Sequence, residues 1–324
     1  MKKILITGGN GFIGSYLVNY CIKKKYKVLN IDKLSSVSQK LTIKNKNYKF
    51  IKNNLLVLKQ LKKIILKFKP NFIINCSAES HVDRSILNPS YFIENNIIGT
   101  SNILEIIKDT NIRFLQVSTD EVFGSLSLNQ RKFKEEGCYD PRSPYSASKA
   151  ACDHLVRSFG ETFGLDYVIT NCSNNYGPFQ YPEKLIPVII KNCILREPIP
   201  IYGDGKNIRD WIYVEDHVEG ILKVLLYGKK SNTYLIGSNN EISNINLTYK
   251  ICRIYDDIIK KQNSKELIQF VKDRKGHDFR YAINSNKIRT KLNWKPKISF
   301  KNGLTKTIKF YTENFDQLNK IFPY

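Results

Sequence analysis

The chain has 324 residues, 42% of them hydrophobic and 25% charged, with seven scattered cysteines and four histidines. That length fits one large α/β unit or two domains. No apolar run is long enough to span a membrane, and no CxxC pair or His/Cys spacing suits a metal. The net charge of +23 invites a polyanion, yet 41 of the 52 basic residues are Lys, spread along most of the chain, and only 11 are Arg. Base readers favour Arg, so neither nucleic acid nor a membrane is expected as a partner. A diffuse positive surface still attracts a dianionic small molecule.

Met1 leads straight into a strand pattern with no cleavage site, so no signal peptide is expected. Unpaired cysteines then point to reduced thiols and a cytoplasmic protein. Lys3 to Thr7 reads as a buried parallel strand. Gly8-Gly9-Asn10-Gly11-Phe12-Ile13-Gly14 follows and passes into a helical pattern through Leu17, Val18 and Cys21. Gly8, Gly11 and Gly14 stand in the strand–turn–helix context of a dinucleotide loop: one for the turn, one for approach of the pyrophosphate, one for helix–strand packing. Lys27 to Ile31 is the second strand and ends at Asp32, where a carboxylate suits ribose hydroxyls and favours NAD over NADP. A turn cap is the competing reading of Asp32.

Next come a strand over 48–52, a helix from about Leu55 to Phe68, a strand over 71–76, a helix over 90–108 and a strand opening at Arg113. A helix over 145–163 and a strand over 166–171 complete the alternation. This βαβ order predicts a doubly wound parallel sheet of Rossmann type. After residue 172, loops rich in Asn, Pro and Gly separate shorter elements at about 184–195, 214–226, 233–236, 247–259 and 301–315. The expectation is an NAD-binding domain over 1–172 and a smaller C-terminal lobe over 173–324 closing over a cleft, with the chain free to cross between them.

The strand from Arg113 runs into Ser118-Thr119-Asp120-Glu121 and stops at Gly124. Two adjacent carboxylates at the end of a buried strand are costly, and ligands bind at that end of an open α/β sheet. On an extended backbone the two side chains would point to opposite faces. Tyr145 and Lys149 are i and i+4 on one helix face. An ammonium beside a phenol lowers the phenol's pKa, making Tyr145 a base for a hydroxyl proton.

The glycine loop, Asp32 and YxxxK together resemble the extended short-chain dehydrogenases that act on nucleotide sugars. Within them the chain is similar to the dTDP-glucose 4,6-dehydratases. The matching segments are AESHVDRS at 78–85, STDEVFG at 118–124, PYSASK at 144–149, NCSNNYGP at 171–178, PEKLIP at 182–187, IYGDG at 201–205, RDW at 209–211, YVEDH at 213–217, and DR with GHD at 273–278. The resemblance implies oxidation at glucose C4 with NAD, loss of water across C5 and C6, and reduction at C6. It gives Tyr145 the C4 hydroxyl proton, has Thr119 orient that hydroxyl, makes Glu121 the C5 base and Asp120 the acid at C6, and lets Lys149 hold the nicotinamide ribose. It adds Phe12, Ile13, Lys33, Asn54, Leu55 and Ala78 on the cofactor side. On the substrate side it adds Ser80, Asn174, Lys184, Leu185, Arg209, Asn244, Arg274 and His277, with Tyr281 a further candidate. Taken singly, several of these, Lys184 above all, read equally well as surface ion pairs or loop caps. His81 and Asp83 receive no catalytic step. The resemblance also implies a homodimer paired through the helices around 90–108 and 145–163.

The chain departs from the family pattern at Asn53-Asn54, where the family's Gly-Asp meets the adenine amino group, at Ser35-Ser36-Val37, and at Lys275 in place of Pro. Asn54 keeps a side-chain acceptor, so weakened NAD binding is expected. UDP-glucose 4,6-dehydration, nucleotide-sugar epimerisation or decarboxylation, and a non-catalytic NAD-binding regulator are the alternatives. An epimerase needs neither acid of the 120–121 pair, so that pair discriminates.

Overall fold

The computed structural model describes residues 1–260 and 263–321; the expectation for 173–324 also covers 261–262 and 322–324, which lie outside these. The first βαβ passage runs β1 (Lys3–Thr7), α1 (Phe12–Lys23), β2 (Lys27–Asp32), β3 (Tyr48–Lys52), α2 (Leu58–Phe68) and β4 (Phe72–Asn75). It continues through α3 (Val82–Leu87), α4 (Pro89–Phe92), a π turn (Ile93–Ile98), α5 (Gly99–Ile107), β5 (Arg113–Thr119), a 3₁₀ turn (Asp120–Phe123), α6 (Pro144–Phe163) and β6 (Tyr167–Cys172). Then come β7 (Asn174–Tyr176), α7 (Leu185–Leu195), β8 (Ile199–Tyr202), β9 (Ile208–Tyr213), α8 (Val214–Tyr227) and β10 (Asn232–Ile236). The remainder is β11 (Glu241–Ser243), α9 (Asn244–Ile259), β12 (Ile268–Val271), α10 (Asn286–Leu292) and α11 (Phe300–Ile321).

Seven strands form one parallel sheet in the order β10-β6-β5-β4-β1-β2-β3. This is the doubly wound sheet expected from the alternation. Period-2 strands send Ile4 and Ile6 to one face, against Leu17, Val18, Ile221 and Leu225 of α1 and α8. Leu5 goes to the other, against Leu61, Ile65, Leu104 and Ile107 of α2 and α5. After β3 the chain crosses to the far side of β1 and adds β4 there, so a crevice opens at the strand carboxyl ends between β1 and β4. Elements beyond residue 172 return to this layer, since β10 pairs with β6 in parallel. The rest of the later chain builds a second core around Tyr176, Ile186, Ile189, Trp211, Leu247 and Ile251. A three-stranded sheet, β11-β9-β7, lies on its cleft side.

Three expectations need correction. The helix over 90–108 is interrupted by a π turn at Ile93–Ile98. One inserted residue there leaves Asn96 buried, bonded to the Glu79 backbone through both ends of its amide and to Ser148. The helix expected from Leu55 starts at Leu58, because Asn54 and Leu56 form an Asx turn first. The backbone after Thr119 is not extended. Thr119 accepts the Glu121 N–H at 3.3 Å and caps a single 3₁₀ turn, so helical rotation rather than strand alternation separates the two carboxyls.

Candidate active site

The cleft follows the strand ends. At its cofactor end, Gly8 has φ +69°, and a Cβ there would lie 2.8 Å from the Ser77 backbone. A Cβ on Gly14 would fall 2.0 Å from the Gly8 carbonyl oxygen. Both positions exclude a side chain, and α1 therefore begins close under β1. Gly11 is the N-cap of α1 and offers no side-chain cap, so the first N–H groups of the helix, opening at Phe12 and Ile13, are left for an anion or water. Asp32 is buried at the wall, where its two carboxylate oxygens accept the Asn10 N–H (3.0 Å) and the Leu34 N–H (2.8 Å). Lys33 donates to Glu79, Tyr91 and Asn95. Leu55 and Ala78 line the same wall. A glycine cradle, uncapped helix N–H groups and an acid at the second strand end fit a dinucleotide. The side-chain oxygen of Asn54, the acceptor expected to remain for adenine, already takes the Leu56 N–H at 3.0 Å.

Midway along the cleft, Thr119, Asp120, Glu121, Tyr145 and Lys149 line one cavity with Gly8, Gly11 and Ser80. Two local devices place them. The 3₁₀ turn presents Asp120 and Glu121. A capping box at Ser143 and Ser146 starts α6 at Pro144 and puts Tyr145 in its first turn. Lys149 is buried and donates to the Val117 carbonyl at 2.7 Å. The Tyr145 phenol is not lowered in this molecule. Burial pushes it well above its ordinary value, and Glu121 and Cys172 add to that, while a hydrogen bond from Thr119 opposes it. The expectation from Lys149 alone is overturned because it left burial, and then the neighbouring carboxyls, out of the balance.

The two carboxyls sit in different fields. Burial lifts Asp120 well above the carboxylate range, with Glu121 and Asp210 raising it further and Arg209 and a backbone hydrogen bond opposing. Glu121 is also raised by burial, but Lys184, Arg209 and Arg274 all pull it down. Their surroundings therefore favour the protonated form more strongly at Asp120 than at Glu121, a difference that adjacency in sequence could not decide.

The far end of the cleft, reached through Glu121, is lined by Asn174, Lys184, Leu185, Arg209, Asn244, Arg274, His277 and Tyr281. Arg209 is buried, stacks 4.1 Å from the Tyr281 ring centre, and donates to the carbonyls of Ile208, Asp278 and Phe279. No carboxylate neutralises it within salt-bridge distance among the described residues. Lys184 donates to the Ser80 carbonyl at 2.8 Å. Arg274 reaches Asp83 at 3.7 Å, and Arg84 pairs with Glu183 at 2.6 Å. His277 is held by Asp273 at 2.7 Å. The side-chain oxygens of Asn174 and Asn244 and the Arg274 Nε are buried without a protein partner, as expected of groups awaiting a polar ligand. His81 caps α3 by accepting the Arg84 N–H.

A family model described as GDP-mannose 4,6 dehydratase matches residues 5–307. The dTDP-glucose 4,6-dehydratase of Haemophilus influenzae is 43% identical over 97% of this chain and 99% of its own. The chain belongs to the dTDP-glucose 4,6-dehydratase family. The dTDP-glucose 4,6-dehydratase of Streptomyces venezuelae, solved with NAD bound, superposes on this member with a TM-score of 0.91 at 36% identity, covering 97% of this chain and 98% of that one. A UDP-glucose 4-epimerase of Thermotoga maritima, solved with UDP-glucose, reaches a TM-score of 0.88 at 26% identity, covering 97% of this chain and 99% of that one. The shared fold does not separate the two chemistries. Within this family member, sequence reading passed over two supporting groups. Asp210 is buried and accepts from Ser238, Asn239 and Asn240, and its Arg209-Asp210-Trp211 context was the available signal. Asn96 was signalled only as a polar residue inside an apolar helical pattern.

Proposed function

We propose that the protein converts dTDP-glucose to the 4-keto-6-deoxy sugar by NAD-dependent oxidation, dehydration and reduction. The carrying observation is the adjacent pair Asp120 and Glu121, one in an anionic field and one in a cationic field, beside Tyr145. NAD, when bound, accepts a hydride from C4, returns it to C6, and brings a positively charged ring to a site that burial otherwise keeps unfavourable for a phenolate. Gly8, Gly11, Gly14, Asp32, Lys33, Leu55 and Ala78 would hold it. Tyr145 takes the C4 hydroxyl proton, with Thr119 orienting that hydroxyl. The resulting ketone acidifies C5, and Glu121 takes that proton. Asp120 gives its proton to the departing C6 hydroxyl. Glu121 then returns its proton to C5.

Arg209, Arg274 and Lys184 hold the diphosphate on this reading, where a guanidinium fork matches the phosphate oxygens, and Asn174, Asn244 and His277 frame the nucleotide. Residues 1–172 serve mainly as the cofactor domain and 173–324 mainly as the nucleotide-sugar lobe. The exposed apolar side chains of Leu87, Tyr91, Ile93 and Ile98 along α3 to α5 support a homodimer, and the seven free cysteines, five of them buried, support a reducing cytoplasmic setting. Incubation with dTDP-glucose should give a product lighter by one water with no net reduced cofactor. Competition between dTDP-glucose and UDP-glucose should favour the former. A product of unchanged mass would refute dehydration.

A further inference from the structure

The face of α6 that carries Tyr145 and Lys149 continues, one turn further on, to Asp153. Asp153 is fully buried. A buried carboxylate is costly unless its oxygens are bonded, and the proposed chemistry gives this one no step. Its Oδ2 accepts the Tyr139 hydroxyl at 2.9 Å and the side-chain amide of Asn171 at 3.1 Å. Arg157, the next residue along the same face, reaches this cluster through the Tyr139 oxygen at 2.9 Å. The carboxylate thus orients an amide.

Asn171 is fully buried and lies in β6 opposite Ser118 of β5. Its amide nitrogen also donates, at 3.1 Å, to the backbone carbonyl of Thr119. A carbonyl can only accept, so the nitrogen and not the oxygen of the amide must face it. Thr119 is the last residue of β5 and the N-cap of the 3₁₀ turn. A bond to its carbonyl fixes the point from which Asp120 and Glu121 leave the sheet. Lys149 makes a separate tie from α6 to the same strand, at the Val117 carbonyl. α6 is therefore pinned to β5 twice, at Val117 by Lys149 and at Thr119 through Asp153 and Asn171.

We propose that Asp153 and Asn171 are positioning residues that hold the Asp120–Glu121 turn in register with Tyr145 through the Thr119 carbonyl. This rests on the dehydratase reading. That reaction needs one bound sugar to meet Tyr145 at C4 and then Glu121 and Asp120 at C5 and C6. An error of about 1 Å between reacting groups can cost about 10²-fold in rate. Loss of the Thr119 tie leaves the Lys149–Val117 tie in place, so elimination suffers more than oxidation.

The test uses the full-length, NAD-loaded enzyme with N171L, D153N and the exchange D153N/N171D. N171L removes the amide donor at similar volume. The exchange keeps a carboxylate–amide pair and the net charge but turns an oxygen toward the Thr119 carbonyl, so it tests the tie even where N171L fails to fold. Reduced cofactor is followed by stopped-flow absorbance, and keto sugar by rapid quench, after mixing with dTDP-glucose. N171L and the exchange should reduce NAD within a few-fold of the wild-type rate, form keto sugar about 10²-fold more slowly, and so accumulate reduced cofactor. D153N keeps an oxygen for the Asn171 amide and should accumulate none. A merely structural role would slow both steps together and leave no reduced cofactor standing. Equal slowing of both steps, wild-type turnover by the exchange, accumulation in D153N matching that in N171L, or unfolding of both Asn171 variants while D153N folds, overturns the proposal. Absence of keto sugar from wild-type enzyme would instead remove the dehydratase reading, and the positioning role with it.

Discussion

The two ends of the cleft are built in different ways. The cofactor end is one local piece of chain: the β1–α1 turn, with the ends of β2 and β4 beside it, presenting glycines and backbone N–H groups. The nucleotide-sugar end is gathered from residues 80–84, 174–185, 209, 244 and 274–281, and it presents side-chain cations. Backbone recognition tolerates sequence change in the side chains around it. Side-chain recognition does not, so substitutions should separate the two ends cleanly. The reacting carboxyls lie where they meet, and the cationic end reaches across to Glu121.

Four changes would break or sharpen this contrast. The largest effect is expected of Glu121→Gln, which keeps the shape and loses the base. Keto-deoxy sugar formation should fall by about 10²- to 10⁴-fold, while absorbance of the reduced cofactor still rises on mixing with substrate. Full turnover would take Glu121 out of its role. Asp210→Asn comes next. Asp120 must hold a proton to act as an acid, so activity is lost as pH rises through its raised pKa. Glu121 must be ionised, so activity is lost as pH falls through its own raised value. Removing the Asp210 anion lowers the Asp120 pKa, and the alkaline limb of the kcat profile should move to lower pH while the acid limb stays. The charged groups acting on Asp120 are Glu121, Asp210 and Arg209, beside burial and a backbone hydrogen bond; a profile unchanged on the alkaline side would deny Asp210 this influence.

Arg274→Ala removes a cation that pairs with Asp83 in the protein. Titration calorimetry with dTDP should show about tenfold weaker binding, near 1.4 kcal/mol for a charge-assisted hydrogen bond at a half-buried site, with NAD affinity unchanged. An equal loss for NAD would erase the distinction between the ends. The smallest effect is expected of Asn54→Asp. One oxygen keeps the Leu56 N–H and the other becomes a free acceptor, so NAD should bind about fivefold more tightly, roughly 1 kcal/mol. Fluorescence titration with NAD reads this directly, and weaker binding would mean the departure at Asn54 is not a cofactor defect.

Much of this was legible before any coordinates. Hydrophobic alternation and the glycine loop indicate the parallel sheet because buried strands and tight turns leave local marks. Tyr145, Lys149, Asp120 and Glu121 stand out because chemistry-bearing residues at strand ends and helix starts are local too. What the chain does not spell out depends on three-dimensional fields. Lys149 beside Tyr145 in sequence promised a lowered phenol, but burial first, with Glu121 and Cys172 adding to it, decides otherwise. The asymmetry between Asp120 and Glu121 comes from Asp210, Lys184 and Arg274, up to 153 positions away from Glu121. The π turn at Ile93–Ile98 is invisible to helical periodicity because it adds one residue without changing residue types.

The most direct test of the central claim, that the 120–121 pair makes this chain a dehydratase, follows one atom. dTDP-glucose deuterated at C4 is converted by the enzyme with bound NAD, and the product is read by NMR and mass spectrometry. The account predicts a 4-keto sugar that has lost one water and carries the deuterium in its C6 methyl group. A C4 epimer with its C6 hydroxyl intact, or a 4-keto sugar that keeps that hydroxyl while reduced cofactor accumulates, would contradict it.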